Sequence, residues 1–231
     1  AHLERLRGME EDAAAEAFFD FRVADIAMGS GHFLVAAVDR IERRLSQFLA
    51  ENPLPAVRDE LARLRASALS ALGDAAEAVV IEDTQLLRLQ IARRCIYGVD
   101  INPPAVQLAR VSLWIHTFVP GLALSFLDHN LVEGNSLVGI ATIDEAREEL
   151  NRYAPNLFTT TAESLLGAAR EPLERLARIT DADAREVESA RRVLAQAQTA
   201  INPTRALFDV LTAARMDAEL AAKLRTGGMS G

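Results

Sequence analysis

The chain has 231 residues, half of them hydrophobic, with 33 acidic against 25 basic side chains and a formal charge of −8. This is enough apolar material for one ordinary domain, or one domain with an appended helical part, and the charge disfavours a surface that grips nucleic acid by itself, because phosphate contacts require lysine and arginine. A single cysteine excludes an intramolecular disulfide and a cysteine-based zinc cluster, and no stretch is long and apolar enough to cross a bilayer.

In chain order, residues 3–19 carry Leu3, Leu6 and Met9 at helical spacing and end in Phe18-Phe19, so a charged first helix is expected. Phe21-Arg22-Val23-Ala24 reads as a short strand closed by Asp25. The chain then turns through Gly29-Ser30-Gly31 and resumes with Phe33, Leu34, Ala37, Val38, Ile41 and Leu45 on one helical face. Strand, glycine turn and helix form the opening of a nucleotide-type βαβ unit, in which the glycines allow close backbone approach and the helix N-terminus attracts an anion.

Asn52-Pro53-Leu54-Pro55 breaks the pattern before a helix over about 56–72, which Gly73-Asp74 ends. Residues 82–94 are helical again. Cys95, between Arg94 and Ile96, is expected to be a packed, reduced thiol at the start of a second strand, 95–100, which ends in Asp100. An acid in that place receives ribose hydroxyls in Rossmann-like folds. The usual offset from the glycine turn is about 20 residues; a helical insertion over 52–82 accounts for the longer spacing here.

Asn102-Pro103 caps and starts the next helix, 105–118. Its Trp114, His116 and Phe118 are read as core residues rather than a base-stacking surface. Pro120-Gly121 stops it. Asn130 to Leu137 reads as a third strand ending in the polar turn Gly134-Asn135. From residue 143 onward, charged alanine-rich helices are expected over 143–153, 160–180, 181–199 and 203–225. Pro155, Thr180-Asp181 and Asn202-Pro203 mark the breaks. Alternating acids and arginines at helical spacing there indicate solvated faces.

The glycine turn fits the two commonest phosphate binders poorly. No Gly-Lys-Ser/Thr triplet follows Gly31, and Leu34 holds the place where a dinucleotide fingerprint needs its third glycine. The Asp25 carboxylate would also repel a pyrophosphate. It suits a cationic ligand such as S-adenosylmethionine, whose own carboxylate can use the helix N-terminus.

The run Asp25-Ile26-Ala27-Met28-Gly29-Ser30-Gly31-His32-Phe33-Leu34 resembles the first motif of adenine-N6 DNA methyltransferases of large restriction-modification and phage-defence polypeptides, the BREX type included. Tyr97-Gly98-Val99-Asp100-Ile101-Asn102-Pro103 resembles their second motif. The resemblance covers about residues 19–139 and implies an α/β, Rossmann-like S-adenosylmethionine-dependent core over 1–142, with a partial sheet and the helical insertion, followed by a helical insertion or spacer over 143–231. It implies a cofactor site made of Asp25, Ala27, Met28, Gly29, Ser30, Gly31, His32, Phe33, Asp100, Ile101 and Asn135. Asp25 and the turn would hold the methionyl end, Asp100 the ribose, and Ile101 and Asn135 the adenine.

Asn102-Pro103-Pro104 is followed by Ala105, which cannot stack on a flipped base. It therefore does not stand in for the Asn-Pro-Pro-aromatic motif with which such enzymes hold their target. The chain begins at Ala1 and ends in Thr226-Gly227-Gly228-Met229-Ser230-Gly231, so a fragment of a longer polypeptide is expected. No residue is assigned a catalytic or metal-binding role. The expectation is a cytoplasmic cofactor-binding part that reaches double-stranded DNA, and any defence-system partner proteins, through regions outside this chain. Two rival expectations are a nicotinamide- or flavin-linked oxidoreductase and a non-catalytic helical interaction module with a vestigial nucleotide pocket.

Overall fold

Residues 1–122, 130–139, 143–153 and 184–227 are described in the computed structural model. They divide into two compact units, one of residues 1–122, 130–136 and 184–188 and one of 137–139, 143–153 and 189–227.

The first unit is mostly helical around a small sheet. Its elements are α1 (His2–Arg7), α2 (Glu11–Ala17), β1 (Val23–Asp25), α3 (His32–Glu51), α4 (Pro55–Leu72), a 3₁₀ turn (Gly73–Ala78), α5 (Asp83–Cys95), β2 (Ile96–Asp100), α6 (Pro103–His116) and β3 (Leu131–Glu133). The expected first helix is thus two, interrupted at Gly8, where the Gly8 N–H caps the Arg5 carbonyl and the Met9 N–H caps the Leu6 carbonyl. Glycine has the lowest helix propensity after proline, so the interruption falls at the residue least able to continue the helix.

The three strands are parallel in the order β1-β2-β3. Val23 faces Ile96 and Asp25 faces Gly98; Gly98 faces Leu131 and Asp100 faces Glu133. Alternation therefore puts Val23, Asp25, Ile96, Gly98, Leu131 and Asp100 on one face. Ile96 and Leu131 are fully buried there, packed with Leu34 and Val38 of α3 and with Val106, Ala109 and Leu113 of α6. The opposite face shows Ala24 exposed, Tyr97 and Val99 half-buried and Val132 exposed.

Helix α5 buries Leu86, Leu87, Leu89, Gln90, Ile91, Ala92 and Cys95, so it is covered on most sides. It begins with a capping box, Glu82 and Gln85 each satisfying a main-chain N–H of the other. Leu87 and Ile91 join the sheet core, while Leu86 and Leu89 pack with Leu61, Leu64 and Ala68 of α4 and with Val119. The segment between α3 and α5 thus carries a core of its own. Cys95 is buried and donates its S–H to the Phe19 carbonyl; burial pushes its thiol up to about 12, so it is neutral and inert.

A buried charge ties α3 to α5 and α6. Glu42 accepts from Arg88 at 3.3 Å and from Ser46 at 2.8 Å, while Asp39 meets His116 at 2.9 Å and Arg88 at 3.4 Å. His116 is therefore an inter-helix partner. Of the three α6 side chains expected in the core, Trp114 and His116 are half-buried and Phe118 is 52% exposed. Helix α6 buries only the face turned to α3 and the sheet. Phe33 of α3 is likewise exposed, outside the stripe formed by Leu34, Val38 and Leu45.

The second unit contains α7 (Ile143–Tyr153), most of α8 (Ala184–Met216) and α9 (Ala218–Gly227). The break expected at Asn202-Pro203 is absent, and α8 runs through Pro203. Proline removes the helical bond to the Thr199 carbonyl. Val193, Ala197, Thr204, Leu211 and Ala214 are nevertheless all buried at helical spacing on both sides of it, and that shared stripe holds the helix in one piece. Arg215 of α8 bridges Glu145 and Glu149 of α7. The helix expected over 160–180 lies outside the described residues. No described helix is long and apolar enough to cross a membrane.

Candidate functional site

The three turns singled out in the sequence lie at one end of the sheet, the end where all three parallel strands finish. β1 finishes at Asp25, whose Oδ1 accepts the Ala27 N–H at 3.0 Å and so starts the turn. Met28, buried, donates its N–H to the Val99 carbonyl at 3.1 Å, which stitches the turn to β2. Gly31 closes it, its N–H on the Met28 carbonyl at 2.9 Å.

Gly31 sits at φ 83, ψ 11 as the N-cap of α3, without a side-chain cap bond. By helix geometry the first N–H groups of α3 lack intrahelical partners and face the mouth of the turn. Ser30 Oγ and His32 Nδ1 lie 2.8 Å apart there, and His32 and Phe33 are exposed.

Asp100, at the tip of β2, connects all three turns. Its Oδ2 accepts the Gly29 N–H at 2.8 Å and its Oδ1 the Asn102 N–H at 2.9 Å. Its main-chain carbonyl accepts the Gly134 N–H at 3.0 Å, one residue before Asn135. The N–H groups of Asn102 and then Gly29 hold the Asp100 carboxyl below the usual carboxylate range, so it is ionised at neutral pH. Asp25 and Asp100 end neighbouring strands on the same sheet face, with Gly98 between them in register. Ile101 is 66% exposed, and Asn135 is exposed as well.

Two consequences follow for any ligand at this end. An ionised carboxylate offers about four lone-pair sites. One on each Asp100 oxygen is used by a backbone N–H, and the rest are open to a pair of donors such as a vicinal diol. Secondly, the Gly29 N–H, which a phosphate-binding turn would present to its anion, is already given to a carboxylate. Negative charge from Asp25 and Asp100 therefore dominates the turn, and a cationic group is favoured there over a pyrophosphate.

No family model, curated protein or solved structure matches the chain.

The place of the missing third glycine has a structural answer that the sequence pattern did not reveal. Leu34 is buried, and the room for it comes from Gly98 on β2: a Cβ built on Gly98 would meet Met28 Sδ and approach Leu34 Cδ1 and Leu131 Cδ2 to 3.0 Å each. Gly31 supplies the second close approach. A Cβ there would lie 3.1 Å from both Cα and Cβ of Ala109 on α6. Small residues at 98 and 109 were legible only as parts of a strand and a helix. Arg110 was not singled out either, yet it donates to the Leu131 carbonyl at 2.6 Å and pins α6 to β3. Among the described residues no group of three or more His, Cys, Asp or Glu side chains could hold a metal.

Proposed function

We propose that this chain is the S-adenosylmethionine-binding core, Rossmann-like in its strand–turn–helix order, of a site-specific DNA methyltransferase. The enzyme would act on the N6 amino group of adenine in restriction-modification or phage defence. The observation that carries the reading is the bond from the Gly29 N–H to Asp100, which makes the glycine turn a cation-favouring site and leaves acceptor capacity for a ribose diol. The sequence resemblance of the turn and of the β2 tip to such enzymes supports it.

In this reading Asp25 and the turn from Ala27 to Phe33 hold the methionyl end, and the α3 N-terminus receives its carboxylate. Asp100 takes the ribose, Ile101 covers one side of the adenine, and Asn135 bonds the adenine edge through its side-chain amide. When bound, the cofactor supplies an activated methyl group. The chain's part is to position it and shield it from water. With Ala105 after Asn102-Pro103-Pro104, these residues hold no target base, so base extrusion and most DNA contact fall to regions of the full protein outside residues 1–231.

Calorimetric titration with S-adenosylmethionine and, separately, NAD tests the reading. Saturable binding of S-adenosylmethionine with none of NAD is expected. Tight NAD binding would favour a nicotinamide-linked oxidoreductase, and binding of neither would leave only a helical interaction module.

A further inference from the structure

The outward side of α3 carries an arginine cluster that the fold does not use. Arg40, Arg43 and Arg44 are all exposed. Among the described residues Arg40 and Arg44 make no ion pair or hydrogen bond, and Arg43 gives only its Nε–H to the Asp39 carbonyl of its own helix, at 3.2 Å. The acids of α3 are committed elsewhere: Asp39 to His116 and Arg88, Glu42 to Arg88 and Ser46, and Glu51 to Arg7. Solvated helix faces ordinarily intersperse the two signs, and like charges four residues apart repel. Arg40 and Arg44 are such a pair, on a chain whose acidic side chains outnumber its basic ones. At 3.6 residues per turn the arginines share roughly one third of the helix surface with His32, Phe33 and Ala36, which are also exposed. The face therefore begins at the mouth of the glycine turn.

We infer that this face is a phosphate-contact surface for double-stranded DNA. The inference rests on the proposed function, which brings a duplex to the strand-end site. Arg40 lies about 12 Å along the helix axis from His32, and helical side chains lean toward the N-terminus, so its guanidinium reaches back toward the mouth. The three arginines span about 6 Å of axis. A duplex carries one charge per about 1.7 Å, enough to offer each guanidinium a phosphate, and the planar fork of arginine suits phosphate oxygens. Beside the arginines the exposed side chains are Ala36 and Gln47, so this end of the face lacks the apolar centre of a protein interface. With a formal charge of −8 on the whole chain, three arginines add to a grip made elsewhere in the full protein and do not replace it.

Fluorescence anisotropy of a labelled duplex of about 20 base pairs, titrated with the whole chain at low salt, provides the test. Wild type should bind with a dissociation constant on the order of 100 µM, and log affinity should fall with log salt at a slope of about −2.7 for three phosphates. The double variant Arg40→Gln/Arg44→Gln should bind at least fivefold more weakly with a slope of about −0.9, one contact remaining. Circular dichroism shows whether these exposed, unpaired substitutions leave the fold intact. The control Arg58→Gln/Arg63→Gln removes the same charge from the exposed side of α4 and should leave affinity and slope near wild type. Absence of duplex binding by the wild type, or equal losses in the two double variants, would overturn the inference. So would displacement of the duplex by an equal charge of poly-glutamate, which would assign the face to an acidic protein segment. Calorimetry with S-adenosylmethionine separates the two claims: cofactor binding without duplex binding sinks only the arginine face. Duplex binding lost in Arg40→Gln/Arg44→Gln, on a chain that binds no cofactor, upholds the face and sinks the cofactor reading.

Discussion

Gly29 and Gly31 both have positive φ, 54 and 83, yet the structure assigns them different costs on replacement by alanine. A Cβ on Gly29 meets nothing within 4 Å, so Gly29→Ala should cost only the left-handed backbone penalty, about 1 kcal/mol. A Cβ on Gly31 lies 3.1 Å from Cα and Cβ of Ala109, and the first of these is helix backbone that can yield only if α6 shifts. Gly31→Ala should therefore add an overpacking cost of about 1–3 kcal/mol to the same backbone penalty. The sole tryptophan, Trp114, lies on α6 itself, so its fluorescence during urea unfolding reports the unit in question. Gly31→Ala should unfold at clearly lower urea than Gly29→Ala, with similar slopes. Equal midpoints for the two variants would refute the close approach of the turn to α6.

Asp100→Ala should weaken S-adenosylmethionine binding by about 100-fold in calorimetry, through loss of two charge-assisted acceptors and of the Gly29 brace, and an unchanged affinity in a folded variant would remove the ribose assignment. Because the Asp100 carboxyl is held below the usual range, its contribution to binding and to the turn is complete above that range and fades only as pH falls through the lowered value. Affinity measured from pH 7 downward should thus hold to about pH 4.5, and a decline that starts near pH 6 would contradict the assignment. Arg88→Ala strips the guanidinium from buried Glu42 and should cost about 2 kcal/mol by urea unfolding, with Glu42→Gln in the same chain recovering part of it. Cys95, its thiol pushed up to about 12, should resist iodoacetamide at pH 8 in the folded chain and react at once in denaturant; fast labelling without denaturant would contradict its burial.

The elements of the first unit were legible where a single physical signal dominated. The short run from Phe21 closed by Asp25 and the Gly29-Ser30-Gly31 turn located β1, which begins two residues later at Val23, and α3, and Asp100 marked the end of β2. What the sequence hid depended on partners distant in the chain. Gly98 looks like an ordinary strand residue until Leu34 and Met28 are seen packed against it. Phe33, Leu108 and Phe118 share periodicity with true core residues, but α3 and α6 each cover only part of their neighbours, so these side chains stay exposed. Pro203 was read as a stop because its local cost is large, yet the buried stripe from Val193 to Ala214 outweighs it. The bond from Gly29 to Asp100 spans 71 positions and could be anticipated only as a general feature of strand tips meeting a turn.

The most direct test of a shared cofactor site at the strand ends is a map of backbone amide shifts in the ¹⁵N-labelled chain as S-adenosylmethionine is added. The largest changes should fall together on residues 27–33, 100–102 and 134–136. Shifts confined to the helices of residues 184–227, or no shifts at saturating cofactor, would contradict the account.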